Sequence, residues 1–177
     1  MKKNTFKIIY YFKIDLYILM LNLLKMASIT LNKVNKHTLS DISFDILPES
    51  IVSEIYRDGR VFSHFIERWA PLNYPLDWVA GCKKYDFKDR NNENIIYDEK
   101  TFTKGGCRFM PSNMIGQGRK FDEEVFLEKA KSLIYMIVDN NDFPIIRIKF
   151  VNGSELAAMY PKGSIPYNDR NKFFEIS

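Results

Sequence analysis

The segment IIYDEKT, residues 95–101, constrains the fold most, because a run with the chemistry of a buried strand leads directly into charged residues. Its first three residues are two isoleucines and a tyrosine, which are typical of a strand that packs in a core. Asp98 and Lys100 follow two positions apart, and residues at that spacing on a strand point to the same face. The sequence therefore predicts a carboxylate and an ammonium side by side on one face of a strand.

The neighbouring sequence predicts that this strand is one half of a hairpin. CKKYDFKD, residues 82–89, has the pattern of a strand, and RNNEN, residues 90–94, that of a tight polar turn. Pairing across the turn would bring Asp86 close to Asp98. Two carboxylates at that distance repel unless a cation lies between them, and magnesium often uses only one or two carboxylates together with substrate phosphates. We therefore expect Asp86 and Asp98 to bind Mg²⁺, with Lys100 stabilising charge on a phosphate.

The alternative is a surface salt bridge between Asp98 and Lys100, with Asp86 solvated, since Asp-X-Lys triplets are common. Three features of the sequence favour a functional site. The triplet follows an apolar strand, a second acid lies upstream, and a basic loop rich in serine, asparagine and glycine follows it, then a helix.

The order of predicted elements indicates the fold class. Apolar spacing predicts a helical region over residues 49–69, interrupted near Asp58-Gly59, and a helix over residues 121–133 that Asp122 caps. Residues 107–109 are expected to add a third antiparallel strand to the hairpin. Two later strands are predicted, of which FPIIRIKFVNG, residues 143–153, alternates like a half-exposed strand. This order predicts an α/β fold with a mixed central sheet and flanking helices.

Chain length and composition favour one globular domain. The chain has 177 residues and 46% hydrophobic residues, which excludes the disordered class. Residues 1–25 differ from the rest: they are apolar and start with two lysines, but their clean apolar part is short for a membrane span of about 20 residues. They are interpreted as an extension, an amphipathic helix or a targeting segment. The single working domain is expected over residues 26–177.

Few residues are available for other chemistries. The chain has two cysteines, Cys82 and Cys107, and two histidines, which argues against a disulfide framework, a zinc site or a histidine triad and favours a reducing compartment. The net charge is +4, and basic residues concentrate in the middle of the chain, as expected for either a polyanion-binding surface or a solvated face. These residues are Lys83, Lys84, Lys88, Lys100, Lys104, Arg108, Arg119 and Lys120.

Taken together, these residues resemble the PD-(D/E)xK nuclease superfamily, and most of all the small type II restriction endonucleases. KYDF supplies Asp86 as the first acid, and YDEKTFT supplies Asp98 and Lys100. Glu67, in SHFIERW, is a weaker match to a further acid that such enzymes often carry on the preceding helix. No proline directly precedes Asp86, and Asp77, which lies near a proline, is its rival as the first metal ligand.

The resemblance implies a restriction-endonuclease-like core and a magnesium-dependent endonuclease that hydrolyses phosphodiester bonds of double-stranded DNA. It also implies a cytoplasmic homodimer that acts on palindromic sites beside a matching methyltransferase, with no stable membrane association. Whether the substrate is DNA or RNA stays open. A non-enzymatic nucleic-acid-binding protein or a phage-type structural protein is the rival class. The expected DNA contacts come from the loop after the hairpin: Lys104, Arg108, Ser112, Asn113, Gln117 and Arg119.

Overall fold

The computed structural model describes residues 26–39, 42, 47–81 and 84–175. The predicted extension over residues 1–25, together with Cys82 and Lys83, lies outside the described residues. The described part of the chain is an α/β fold with a mixed six-stranded sheet and flanking helices, as predicted. None of its helices is both long and apolar enough to cross a membrane.

Eight strands and five α-helices make up this part of the chain. The strands are β1 (Val34–Thr38), β2 (Leu76–Trp78), β3 (Phe87–Asp89), β4 (Ile96–Thr101), β5 (Cys107–Arg108), β6 (Ile134–Asp139), β7 (Ile145–Asn152) and β8 (Ser164–Ile165). The helices are α1 (Glu49–Arg57), α2 (Gly59–Asn73), α3 (Glu123–Lys131), α4 (Gly153–Met159) and α5 (Arg170–Glu175). Short 3₁₀ turns lie at Ser112–Met114 and Tyr167–Asp169.

The sheet places the predicted hairpin next to a parallel strand. The strand order is β1-β7-β6-β4-β3-β2, in which β3 and β4 are antiparallel and β4 and β6 are parallel. The Asp89 side chain accepts hydrogen bonds from the backbone N–H groups of Asn91 and Asn92, which closes the turn between β3 and β4. Helix α3 makes the crossover from β4 to β6, and Asp122 caps it by accepting from the Val125 N–H, as predicted.

Each face of the sheet has its own apolar core, because alternate residues of the buried strands point in opposite directions. On β6, Met136 and Val138 belong to the core under α1 and α2, whereas Tyr135 and Ile137 belong to the core under α3, α4 and α5. A strand covered on both faces has few exposed positions. The side chain of Asp98 is therefore buried and that of Lys100 is partly buried, unlike those of a surface hairpin.

Two predictions about strands were wrong. Strand β5 leaves the hairpin and pairs with β8 in a separate two-stranded sheet, because the chain turns away after Thr103. Strand β7 is not half exposed: it lies between β1 and β6, and Lys149 is only 3% exposed. Helix α5 covers Lys149, whose ammonium donates to the Phe173 carbonyl at 2.8 Å. The alternation of apolar and basic residues here therefore marks a strand in which Lys149 is buried and Arg147 is partly buried.

Gly153 allows α4 to begin against the end of α3. A β-carbon built at this position would lie 2.1 Å from the Ala130 carbonyl oxygen and 2.8 Å from that of Leu133. The Gly153 N–H donates to the Leu133 carbonyl at 3.0 Å, so the backbone has little freedom to move away. This close approach fixes the position of α3 over the sheet.

Gly153→Ala is therefore expected to lower the free energy of unfolding by about 3 kcal/mol, since backbone atoms must move to admit one methyl group. Gly105→Ala is the matched control, because its β-carbon would meet only the Thr103 hydroxyl, at an ordinary 3.6 Å. Chemical denaturation of the two variants measures the difference. Equal stabilities would show that the α3–α4 junction relaxes freely.

Candidate functional site

The start of the hairpin brings the two predicted carboxylates together. Asp86 directly precedes β3, and its backbone N–H donates to the Tyr97 carbonyl at 2.9 Å, one residue before Asp98. The Asp86 carboxylate accepts from the backbone N–H of Glu99 at 2.7 Å, which orients it along β4. Asp86 and Asp98 are close enough that, in addition to burial, the negative charge of Asp98 raises the pKa of Asp86. The structure therefore juxtaposes this pair as the hairpin predicted.

Two lysines hold the carboxylate of Asp98. Lys100 Nζ donates to Asp98 Oδ1 at 2.8 Å, and Lys129 Nζ donates to Asp98 Oδ2 at 2.8 Å. Lys100 Nζ also donates to the Glu99 carbonyl at 2.6 Å. Asp98 itself is 4% exposed. The predicted Asp98–Lys100 pair is thus a buried cluster with a third member, Lys129 of α3, which the sequence reasoning missed.

The two acids respond differently to this environment. Burial, together with the negative charge of Asp98, raises the pKa of Asp86 to about 6. Burial also opposes ionisation of Asp98, but the two ammonium groups outweigh it and lower the pKa of Asp98. Asp98 is therefore the firmly ionised member of the pair, whereas the charge of Asp86 is disfavoured by its surroundings.

Glu99, between the two motif residues, points to the opposite face of β4. It is 5% exposed, and its carboxyl group accepts a hydrogen bond from the Thr101 hydroxyl. Burial raises the pKa of Glu99 to about 8. Glu99 and Lys100 line a cleft of about 470 Å³ with Arg60 and Arg108. No role was predicted for Glu99, although its position between Asp98 and Lys100 is a signal that could have identified it.

The titration of Glu99 should be visible in the stability of the metal-free protein. A carboxyl group whose pKa is raised in the folded state contributes stability that is complete below its unfolded pKa of 4.5 and is lost as pH rises through about 8. Between pH 6.5 and 8, we expect the free energy of unfolding to fall by up to about 1.4 kcal/mol per pH unit. Glu99→Gln should flatten this slope. Denaturant titrations at four pH values in a chelator would measure it, and an unchanged slope would contradict the assignment.

Two other acids lie elsewhere. Glu67 accepts from Trp78 Nε1 at 3.3 Å, so the structure shows it bound to the edge strand β2 and not to the Asp86–Asp98 pair. Asp77, the rival first acid, forms a salt bridge with Arg90 at 2.9 Å, and its side chain is 60% exposed. Asp86, and not Asp77, is therefore the acid beside Asp98.

The predicted DNA-contacting residues are divided between two surfaces. Arg108 lines the cleft of about 470 Å³ that contains Lys100. Ser112 and Asn113 line a larger groove of about 840 Å³ that contains Lys129. Arg119 donates to the backbone carbonyls of Ser112 and Ile115, so it organises its own loop. Lys104 and Gln117 are exposed on the turns of this region.

The donor atoms near Asp98 suit a hard cation. Within the described residues, no group of three or more histidine, cysteine or acidic side chains is arranged to hold a metal ion. Two carboxylates and the Glu99 carbonyl nevertheless form an all-oxygen set, and Lys100 already places a positive charge between two of these oxygens. Magnesium prefers oxygen ligands and commonly takes few of them from the protein. The residues present therefore fit Mg²⁺ better than a transition metal.

Comparison of the chain with family models, with curated proteins and with solved structures found no match.

Proposed function

We propose that the protein is a magnesium-dependent endonuclease that hydrolyses phosphodiester bonds of double-stranded DNA, similar to the type II restriction enzymes of the PD-(D/E)xK superfamily. The observation that supports this most is the convergence of Asp86, Asp98 and Lys100 at one point of the sheet. The strand that carries Asp98 and Lys100 is followed by a helix and then a parallel strand. That succession agrees with the pattern that the resemblance implies.

Asp86 and Asp98 would hold the magnesium ion, which, when bound, supplies positive charge to the phosphodiester and makes a nearby water more acidic. The protein side chains have separate tasks. Lys100 is held by Asp98 and by the Glu99 carbonyl, so its ammonium is fixed in place before substrate binds. A fixed cation stabilises the charge that develops on the phosphate without reorganising during the reaction. Because the pKa of Asp86 is raised, its ionised carboxylate would be stabilised by a cation bound beside it.

The two surfaces that flank the site supply contacts for DNA. Arg108 lies in the cleft beside Lys100, and Asn113 lies in the groove beside Lys129. Arginine pairs well with guanine edges, and asparagine with adenine edges. We propose that these residues contact one duplex on either side of the cleaved bond. A homodimer would present two such sites to a palindromic sequence.

One observation favours the rival, a non-enzymatic binding or structural protein. Asp98 has an ammonium on each oxygen, and this arrangement also satisfies a buried carboxylate with no catalytic task. The rival explains the lowered pKa of Asp98 but gives no reason for Asp86, whose charge is disfavoured beside it. Placing an unfavourable carboxylate at this point is the feature that favours an enzyme.

Cleavage of long DNA tests the proposal. Unmethylated phage genomic DNA, which offers many different sequences, is incubated with the purified protein in Mg²⁺ and, separately, in a chelator. Discrete fragments in Mg²⁺ alone are expected. Lys100→Ala protein, purified in the same way, controls for contaminating nuclease. Intact DNA across a range of Mg²⁺ and Mn²⁺ concentrations would favour the non-enzymatic rival.

A further inference from the structure

Lys129 is held at the site by a single hydrogen bond. In the described part of the chain, its ammonium donates only to Asp98 Oδ2. Lys100, by contrast, donates both to Asp98 and to the Glu99 carbonyl. The side chain of Lys129 is 20% exposed, and it lines the groove of about 840 Å³, whereas Lys100 lines the smaller cleft. Lys129 therefore has fewer hydrogen bonds to break than Lys100 if its ammonium leaves Asp98, and the groove gives it space to move into.

A cation that binds Asp98 must compete for an oxygen that already accepts a hydrogen bond from a lysine. Oδ1 accepts from Lys100 and Oδ2 from Lys129, so each oxygen of the carboxylate already has an ammonium donor. Two ammonium groups and a divalent cation around one carboxylate repel one another. The release of one lysine relieves this repulsion, and the bonding pattern selects Lys129.

The groove offers a released Lys129 suitable surroundings. Lys84, Ser112 and Asn113 line it, and their side chains can donate hydrogen bonds, while Glu128 is the one acid among the described residues that line it. Such a surface accepts a phosphate more readily than it accepts a cation. A released ammonium in this groove would add one further phosphate contact.

We propose that Lys129 is a positioning residue that occupies the Asp98 oxygen needed by a divalent cation in the metal-free protein, and that its ammonium moves to a phosphate of the DNA when that cation binds. This inference rests on the proposed function. It assigns Lys129 two opposite effects. Lys129 competes with the cation for Asp98 before DNA arrives, and it strengthens the hold on DNA afterwards.

The test measures calcium binding without DNA, using Lys129→Met and its matched control Lys131→Met, an exposed lysine two residues further along the same helix. Calcium is titrated into metal-free protein by calorimetry. Lys129→Met is expected to bind calcium on the order of tenfold more tightly than the wild type, because a competing charge is gone. Lys131→Met should leave calcium affinity unchanged. If Lys129→Met lowers the melting temperature by more than a few degrees, Lys129→Gln replaces it.

DNA binding in calcium is measured in the second part of the test. Lys129→Met should weaken binding and reduce the slope of log affinity against log salt by about one unit more than Lys131→Met does. Tighter calcium binding with weaker DNA binding supports the proposal, because a merely structural lysine would weaken both. Unchanged or weaker calcium binding overturns it, as does the absence of calcium binding in both proteins. A third outcome separates this inference from the proposed function. If Lys129→Met binds calcium more tightly but the wild-type protein does not cleave DNA, only the proposed nuclease function is contradicted.

Discussion

Asp98→Asn is expected to lower magnesium-dependent cleavage at least about a thousandfold, the largest effect on activity that the structure predicts. Asp98 is the firmly ionised acid of the pair, since Lys100 and Lys129 lower its pKa against the effect of burial. Asparagine keeps the shape of the side chain and one oxygen acceptor but removes the charge. Loss of about 4 kcal/mol of transition-state stabilisation corresponds to about a thousandfold in rate.

Asparagine is chosen over alanine because of how Asp98 is held. Alanine would leave two largely buried ammonium groups without their carboxylate, and breaking such a cluster costs about 3–5 kcal/mol. An inactive alanine variant would then report on folding as much as on chemistry. Circular dichroism melts of Asp98→Asn, beside cleavage rates under single-turnover conditions, separate the two. A folded Asp98→Asn protein with more than a tenth of the wild-type rate would contradict the assignment.

The hairpin could be predicted from the sequence because the residues that determine it are close together in the chain. The polar turn after Asp89, the apolar start of β4 and the period of two fix the register. That register places Asp86 beside Asp98, and no distant part of the chain is needed for the inference. The cap of α3 at Asp122 was predictable for the same reason, since the side chain bonds a backbone N–H three residues away.

The remainder of the site depends on packing between segments far apart in sequence. Lys129 reaches Asp98, 31 residues away, only because the crossover helix α3 lies over that face of β4. Lys129 lies next to the buried residues Phe126 and Ala130 on its helix, and this position indicates a lysine near the sheet. It does not indicate which residue the lysine contacts. A role for Glu99 could not be predicted from its neighbours in the sequence, because its face of β4 is buried only when α2 packs there. Tertiary contacts of this kind override local patterns.

Sequence patterns also could not predict that the loop residues after the hairpin line two different clefts. Arg108 and Asn113 are five positions apart, yet they line different surfaces, because β5 pairs with β8 from the C-terminal part of the chain. Two strands of two residues each are too short for a sequence pattern to indicate that they pair. A loop that looked like one binding element is in fact shared between two clefts, of which one contains Lys100 and the other Lys129.

Asp86→Asn is expected to stabilise the protein and to slow cleavage strongly, a combination that a structural acid would not produce. Because the pKa of Asp86 is raised to about 6, its contribution to stability is present below pH 3.8 and is lost as pH rises through 6. At pH 7.5, asparagine removes an unfavourable charge, and the free energy of unfolding should rise by about 1–3 kcal/mol. An asparagine oxygen can still accept the bond from the Glu99 N–H. Cleavage should fall at least about a hundredfold, since a ligand charge is lost.

Asp77→Asn is the matched control for this prediction, because Asp77 is the other acid near the start of the hairpin. Its salt bridge with Arg90 is exposed, so its loss should change stability by at most about 1 kcal/mol and leave cleavage near the wild-type rate. Melting curves and cleavage rates of both variants at pH 7.5 give the comparison. An active Asp86→Asn beside an inactive Asp77→Asn would move the first metal ligand to the edge strand. If Asp86→Asn is instead less stable than the wild type, the protein depends on this carboxylate for folding. Removing a charge that serves only catalysis should raise the free energy of unfolding.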